Sequence, residues 1–287
     1  MLKYFAFIFS VILISCTQKS AKNMDSEKQN STASIINLYS KSVNDSFSIF
    51  TSLPADYNPH QKYPVIYILD ANLYFDVYST ILKKYSEVGL LPSAILIGIG
   101  YKDFPTMDSL RNRDYTYPVG LPEYEMSISG GADKFLAFIR QELVPVIDTT
   151  YKVDKQKRIL MGHSLGGYFT LYSLQQQIQS KENQFNGYIA ASPSIHYNHY
   201  FLLHEFEQPT KTDSTKVKVY TTFGGLEDNE SKQDSTIQPI DKVLAALSTT
   251  FKSKDYIEFK GTVYSNLDHM DTPLPSFVKG LQWILNN

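Results

Sequence analysis

With 287 residues and 43% hydrophobic content, the chain can bury one large core or two small ones. Its 27 Lys and Arg against 29 Asp and Glu leave a net charge of -2, which argues against the basic footprint of a nucleic-acid-binding protein. The single cysteine, Cys16, excludes an intrachain disulfide; the 21 Tyr and 17 Phe fit an aromatic-lined cleft or, more ordinarily, an aromatic core.

At the N-terminus, Lys3 precedes an almost wholly apolar run over residues 4–14 that leads into Leu13-Ile-Ser-Cys16. The run is about half of the ~20 residues that span a bilayer, the length of a signal-peptide core. Leu-Ile-Ser-Cys resembles the bacterial lipobox, which implies cleavage before Cys16 and lipid attachment to its sulfur and amino group. Several acyl chains on one residue anchor a protein firmly. The expectation is a lipoprotein signal peptide over residues 1–15, a flexible tether over 16–34 and one domain over 35–287, held at a membrane of the cell envelope. An ordinary secretory peptide with an incidental cysteine is the alternative.

Residues 17–34 are rich in Ser, Lys, Asn, Gln and Asp and offer little to bury. Structure begins at residues 35–39 and 43–51, where Phe47 and Ile49 alternate with Ser46 and Ser48 as in a half-buried antiparallel strand. Apolar runs then alternate with helical patterns. Strands are predicted at 65–69, 94–99, 158–161, 188–191 and 217–223, with an edge strand at 256–259. Helices are predicted at 74–88, 132–151 (kinked at Pro145), from the 160s to about 178, at 240–251 and at 276–285. Residues 100–131 carry no clear period and are expected to be irregular. Continuous apolar strands separated by helices indicate an α/β fold, a mostly parallel sheet covered on both faces. In such sheets the reactive site lies at the carboxyl ends of the strands. That rule selects Asp70-Ala-Asn72, Gly100-Tyr-Lys102, Ser164, Ser192-Pro-Ser194 and the run from Gly224 to Asp228.

The stretch Gly162-His-Ser-Leu-Gly166 fits the G-x-S-x-G elbow in its required strand–turn–helix setting, with Ser164 as nucleophile. A serine on so sharp a turn needs neighbours without Cβ, and Gly162, Gly166 and Gly167 supply them. A serine hydroxyl needs a base, and the base a third group to orient it, in the chain order Ser, acid, His. His163 points away from Ser164, and His60 belongs to a surface loop. His196, His199 and His204 lack a metal-binding partner pattern. His269, in a polar loop between the last strand and last helix, is the candidate base. The acid should follow the strand ending at Phe223; Glu227, Asp228 and Glu230 all qualify, with Glu227 the first choice and Asp228 the reserve. The backbone N–H of Leu165 and that of Asn72 are the candidate oxyanion donors.

With these residues in place the chain resembles the esterase branch of the α/β-hydrolase superfamily. That branch holds enterobactin-type siderophore esterases, feruloyl and acetylxylan esterases, S-formylglutathione hydrolases and mycolyltransferases. The resemblance runs from about residue 57 to the C-terminus. It rests on Tyr63-Pro-Val-Ile-Tyr-Ile-Leu-Asp70, Arg113-Asp-Tyr-Thr-Tyr-Pro118, Gly131-Ala-Asp-Lys-Phe135, Glu142-Leu-Val-Pro145, the elbow, Ser192-Pro-Ser194 and Asp268-His-Met270. The siderophore-esterase-like subgroup carries its second oxyanion donor on Leu-Asp-Gly-Asn; here the segment is Leu69-Asp-Ala-Asn72, with Ala71 in the glycine position. The resemblance implies an α/β-hydrolase fold, no cofactor, and a small-molecule ester as substrate. Arg111 and Arg113 are candidates to hold an anionic substrate such as a catecholate siderophore, or else solvated loop charges. Tyr115, Tyr117 and Tyr197 are candidates to stack on aromatic acyl groups or sugars. The leading expectation is a serine carboxylesterase, with a siderophore trilactone as one substrate. Carbohydrate esters, acyl transfer to another acceptor, and a non-catalytic binding lipoprotein are the competing readings.

Overall fold

The computed structural model describes residues 33–180, 182–208, 216–228 and 237–286. Cys16, the expected signal peptide and nearly all of the expected tether lie outside them. Among the described residues no helix is long and apolar enough to cross a membrane.

Among the described residues, eight strands form one sheet in the order β1-β2-β4-β3-β5-β6-β7-β8. β1 (Ala33–Ser40) and β2 (Asp45–Ser52) form an antiparallel hairpin, and β2 pairs antiparallel with β4. The other neighbours are parallel: β3 (Tyr63–Ile68), β4 (Ile95–Gly100), β5 (Val153–His163), β6 (Gly187–Ala191), β7 (Val217–Gly224) and β8 (Ile257–Tyr264). β3, β4 and β6 are buried along their whole length, the signature of parallel strands covered on both faces. Two apolar cores result. One face packs under α1 (Ala71–Glu87) and the C-terminal helix α8 (Pro273–Leu285), through Phe75, Tyr78, Phe277 and Leu281. The larger core on the other face draws on α5 (Leu165–Ser180), α6 (Tyr197–Glu207) and α7 (Ile240–Lys252) among others.

Residues 100–131 are not wholly irregular, as their lack of period suggested. They contain α2 (Phe104–Tyr115) and a 3-10 turn (Pro122–Tyr124). α2 buries only Met107, Asp114 and Tyr115, too few to print a periodic stripe. Its start was nevertheless written in the sequence: the Asp103 carboxylate accepts from Thr106 N, and Pro105 sits in the first turn. The 132–151 helix divides into α3 (Ala132–Ala137), a π-helical turn (Phe138–Leu143) and α4 (Val144–Thr150). The wider turn lies just before Pro145, whose ring and missing N–H interrupt the α-helical ladder. α1 begins at Ala71, three residues earlier than expected, and β8 is twice the predicted length.

The chain steps from β3 outward to β4, then crosses back to β5 and proceeds the other way. Strand order therefore reverses between β3 and β5, where a crevice opens at their carboxyl ends. α1 leaves β3 and α5 leaves β5 on opposite sides of that crevice.

Candidate active site

β5 ends at His163 and α5 begins at Leu165, so one residue turns strand into helix. That residue is Ser164, at φ 59, a conformation an L residue adopts only when its surroundings enforce it. Its N–H donates to Ala191 O (3.0 Å) and its carbonyl accepts from Tyr168 N (2.9 Å) and Ser194 N (3.1 Å). A Cβ at Gly162 would overlap the carbonyl of Gly166, so the turn tolerates only glycine there. The Ser164 hydroxyl is hydrogen-bonded with that of Ser194 at 3.3 Å.

The loops after β7 and β8 are tied together by Gly225 N to Tyr264 O (2.9 Å) and Leu226 N to Leu267 O (3.1 Å). This brings Glu227 against His269, whose Nδ1 lies 2.8 Å from Glu227 Oε2. A carboxylate only accepts, so Nδ1 carries the proton and Nε2 holds the free lone pair of a general base. Burial works to raise the Glu227 pKa, but hydrogen bonds from His269, Ser192 and the Gly224 amide outweigh it and hold the carboxyl below its ordinary range. Ser192 Oγ donates to Glu227 Oε1 at 2.6 Å. Asp228 faces elsewhere: its carboxylate accepts from Ile240 N at 2.8 Å, at the start of α7. The geometry thus pairs Glu227, not Asp228, with His269; Glu230 lies outside the described residues. Ser164, Glu227 and His269 line one cavity of about 240 Å³.

The two candidate oxyanion segments are built alike. Ser164 precedes α5 and Asp70 precedes α1, both in left-handed conformation, and each helix leaves its first amides without intrahelical partners. Leu165 and Asn72 lie in those first turns. The Asn72 side chain is fixed to the end of β4, accepting from Tyr101 N (2.8 Å) and donating to Tyr101 O (2.9 Å). The methyl of Ala71 fits because β4 has no side chain beneath it: a Cβ on Gly98 would lie 2.7 Å from Ala71 Cβ.

Four of the five candidate substrate-binding residues, Arg111, Arg113, Tyr115 and Tyr197, are committed elsewhere, and this corrects the sequence reading. Arg111 makes a two-pronged ion pair with buried Asp70, Nε to Oδ1 at 3.0 Å and Nη2 to Oδ2 at 2.9 Å, and also donates to His163 O at 3.3 Å. Burial works against the Arg111 charge, and the Asp70 carboxylate more than restores it. Arg113 is engaged by Asp114 and Asp45. Tyr115 and Tyr197 are core residues, 0% and 1% exposed; the Tyr115 hydroxyl accepts from Asp70 N and that of Tyr197 donates to Pro118 O. A charged or aromatic residue in an unstructured loop invites a ligand; here Arg111, Arg113 and Tyr115 lie on α2 and Tyr197 on α6, and their bonded side chains support the scaffold. Only Tyr117, 37% exposed, retains a partly open ring. His196, His199 and His204 are exposed, and no metal-binding cluster occurs among the described residues.

Sequence reasoning overlooked Thr272 and the roles of Ser192 and Ser194. Thr272 is the N-cap of α8 but does not cap; its buried hydroxyl donates to His269 O (3.0 Å) and lies 2.7 Å from Ser192 Oγ. Ser192-Pro-Ser194 stood out at a strand end, whereas nothing in the sequence marks Thr272.

A mostly parallel sheet, a serine on a left-handed elbow after a central strand, and a paired His and Glu on later loops define an α/β-hydrolase of the esterase type. The family model described as Putative esterase matches residues 40–264, and the chain belongs to that family. It is 35% identical over 237 residues to ferri-bacillibactin esterase BesA of Bacillus subtilis, covering 77% of this chain and 80% of that protein. It is 33% identical over 146 residues to the siderophore triacetylfusarinine C esterase of Aspergillus fumigatus, covering 50% of this chain and 48% of that one. Among solved structures, the BES protein from Bacillus cereus matches with TM-score 0.73 and 27% identity over 89% of this chain and 96% of its own. Siderophore hydrolase EstA from Aspergillus nidulans shares the fold, with TM-score 0.77 and 22% identity over 98% of this chain and 99% of its own. The protein is an ester hydrolase.

Proposed function

We propose that the protein is a serine carboxylesterase that opens the lactone bonds of a siderophore. The 2.8 Å contact of His269 with Glu227, in the cavity that also holds Ser164, carries the mechanistic half of this reading. The likeness to a ferri-bacillibactin esterase supports the substrate half. His269 Nε2 takes the Ser164 proton as Oγ attacks the ester carbonyl. The amides of Leu165 and Asn72 receive the oxyanion. Collapse expels the alcohol, protonated by His269, and leaves an acyl group on Ser164. Water, deprotonated by His269, then attacks the acyl carbonyl; collapse breaks the bond to Ser164 Oγ, which takes the proton back from His269, and the acid is released. Glu227 keeps the imidazole in the required tautomer and offsets the imidazolium charge. A second cavity of about 700 Å³ shares His196, Tyr200, Ile237 and Gln238 with the first, which suits an ester with large groups on both sides of the scissile bond.

Tethering to a membrane of the cell envelope through a lipid on Cys16 belongs to the same proposal and rests on Leu13-Ile-Ser-Cys16. Growth with a clickable palmitate analogue should label the parent and not Cys16→Ser. The substrate is tested with ferric and iron-free tricatecholate trilactones beside feruloylated and acetylated sugars. Faster cleavage of trilactones is expected; equal or faster cleavage of the sugar esters would remove the siderophore reading.

A further inference from the structure

The residue before the nucleophile is a histidine that the mechanism above does not use, yet it is bound directly to the histidine that it does use. His163 is 3% exposed, at the end of β5. Its Nε2 lies 2.8 Å from the carbonyl oxygen of His269, and its Nδ1 lies 2.9 Å from the hydroxyl of Tyr74 on α1. These contacts assign its protons. A carbonyl only accepts, so Nε2 bears the hydrogen, and in the neutral ring Nδ1 accepts from Tyr74. Tyr74 is itself steadied by ring contacts with Tyr78, His163 and Phe277.

We propose that His163 and Tyr74 are positioning residues for the ester hydrolysis, a relay from α1 through the elbow that fixes the backbone of the general base. The inference rests on Ser164, Glu227 and His269 acting as the triad. The His269 carbonyl receives two hydrogen bonds, from His163 Nε2 and, at 3.0 Å, from the Thr272 hydroxyl. The side chain is held separately by Glu227. Loop 265–271 is largely exposed, and besides the bond of Leu226 N to Leu267 O these three contacts, made at His269 itself, are what hold the base in place. A loop-borne base has no helix or sheet to locate it, and a displacement of about 1 Å in such a group costs on the order of 100-fold in rate. Because His163 occupies the residue next to Ser164, the bond ties base to nucleophile with a single residue between them.

The ring is also suited to its place electrically. The centroids of His163 and His269 are 4.6 Å apart, and a cation there would oppose the imidazolium that forms on His269 during acyl transfer. Burial, and then the neighbouring His269, push the His163 pKa down to about 3, so the relay stays neutral wherever the base can work.

The test uses His163→Met, His163→Gln and Tyr74→Phe in the full chain, with p-nitrophenyl butyrate as substrate. His163→Met fills the space without a donor and should lower kcat roughly 10- to 100-fold at nearly unchanged KM. His163→Gln places an amide N–H near the former Nε2 and should recover most of that loss. Tyr74→Phe should lower kcat about fivefold, the worth of one neutral hydrogen bond, and should add nothing on the His163→Met background. Equal kcat in His163→Met and parent, or equal loss in the Met and Gln variants, would overturn the relay. If His163→Met does not fold, Tyr74→Phe decides: a folded Tyr74→Phe with parental kcat overturns it as well. Ser164→Ala is run alongside. Loss of activity there with a fully active His163→Met refutes the relay alone, whereas activity in Ser164→Ala refutes the triad beneath it.

Discussion

Replacing Arg111 by Met removes the cation that joins the α1 start to the nucleophile elbow. The Asp70 side chain is 3% exposed and takes both prongs of Arg111, whose third contact is the carbonyl of His163. Deleting one partner of a buried pair strands the other charge, which costs about 3–5 kcal/mol. For a domain of this size that is a fall in Tm of roughly 6–20 °C. Asp70→Asn should also destabilise, since it leaves Arg111 as the stranded ion. The double variant should lie closer to the parent than the sum of the single losses, because removing both charges removes the penalty that each single change creates. Urea unfolding followed by tryptophan fluorescence and circular dichroism measures all four proteins. An Arg111→Met variant within about 1 kcal/mol of the parent would refute the view that Arg111 is structural, and full additivity would refute the coupling. Weaker binding of an anionic substrate with unchanged stability would instead return Arg111 to the substrate-binding role.

Glu227→Gln should lower kcat by roughly 10³- to 10⁴-fold by disturbing the tautomer and charge balance of His269. Asp228→Ala should leave kcat within a few-fold and cost about 1 kcal/mol at the start of α7; a reversal of these two results would make Asp228 the acid. The His163 pKa, near 3 when folded, lies below the ordinary histidine value near 6.5. The unfolded chain therefore binds a proton that the folded one excludes. The stability from this group is whole above about pH 6.5 and falls by about 1.4 kcal/mol per pH unit as pH drops toward 3. His163→Gln should flatten the stability–pH curve in that window, and an identical slope in parent and variant would contradict a neutral buried His163.

Much of the sheet was legible because parallel strands buried on both faces leave unbroken apolar runs, as at Val65, Ile95 and Ile159. The elbow was legible because its chemistry demands glycine at fixed offsets from Ser164. Glu227 and Asp228 could not be separated, since neighbours on a loop differ in direction and not in spacing. The hydrogen bond of Asp228 to Ile240 N joins residues twelve apart in sequence and has no local sign. Arg111, Tyr115 and Tyr197 were misjudged for a related reason. Polar and aromatic residues outside a periodic pattern suggest a cleft, yet here Arg111 is paired with Asp70 and both tyrosines are buried with their hydroxyls bonded. α2 escaped notice because only three of its residues are buried. Asp103, Pro105 and Thr106 marked its first turn, and giving end signals more weight than periodicity would have found it.

In the proposed mechanism Ser164 carries the acyl group. Intact-protein mass spectrometry after treatment with a fluorophosphonate, beside the burst kinetics of an aryl ester, tests it most directly. The parent should gain one adduct, mapped to Ser164, and show a burst. Ser164→Ala should gain none and lose turnover by roughly 10⁴-fold or more. A Ser164→Ala protein that still hydrolyses the ester at the parental rate would contradict the account.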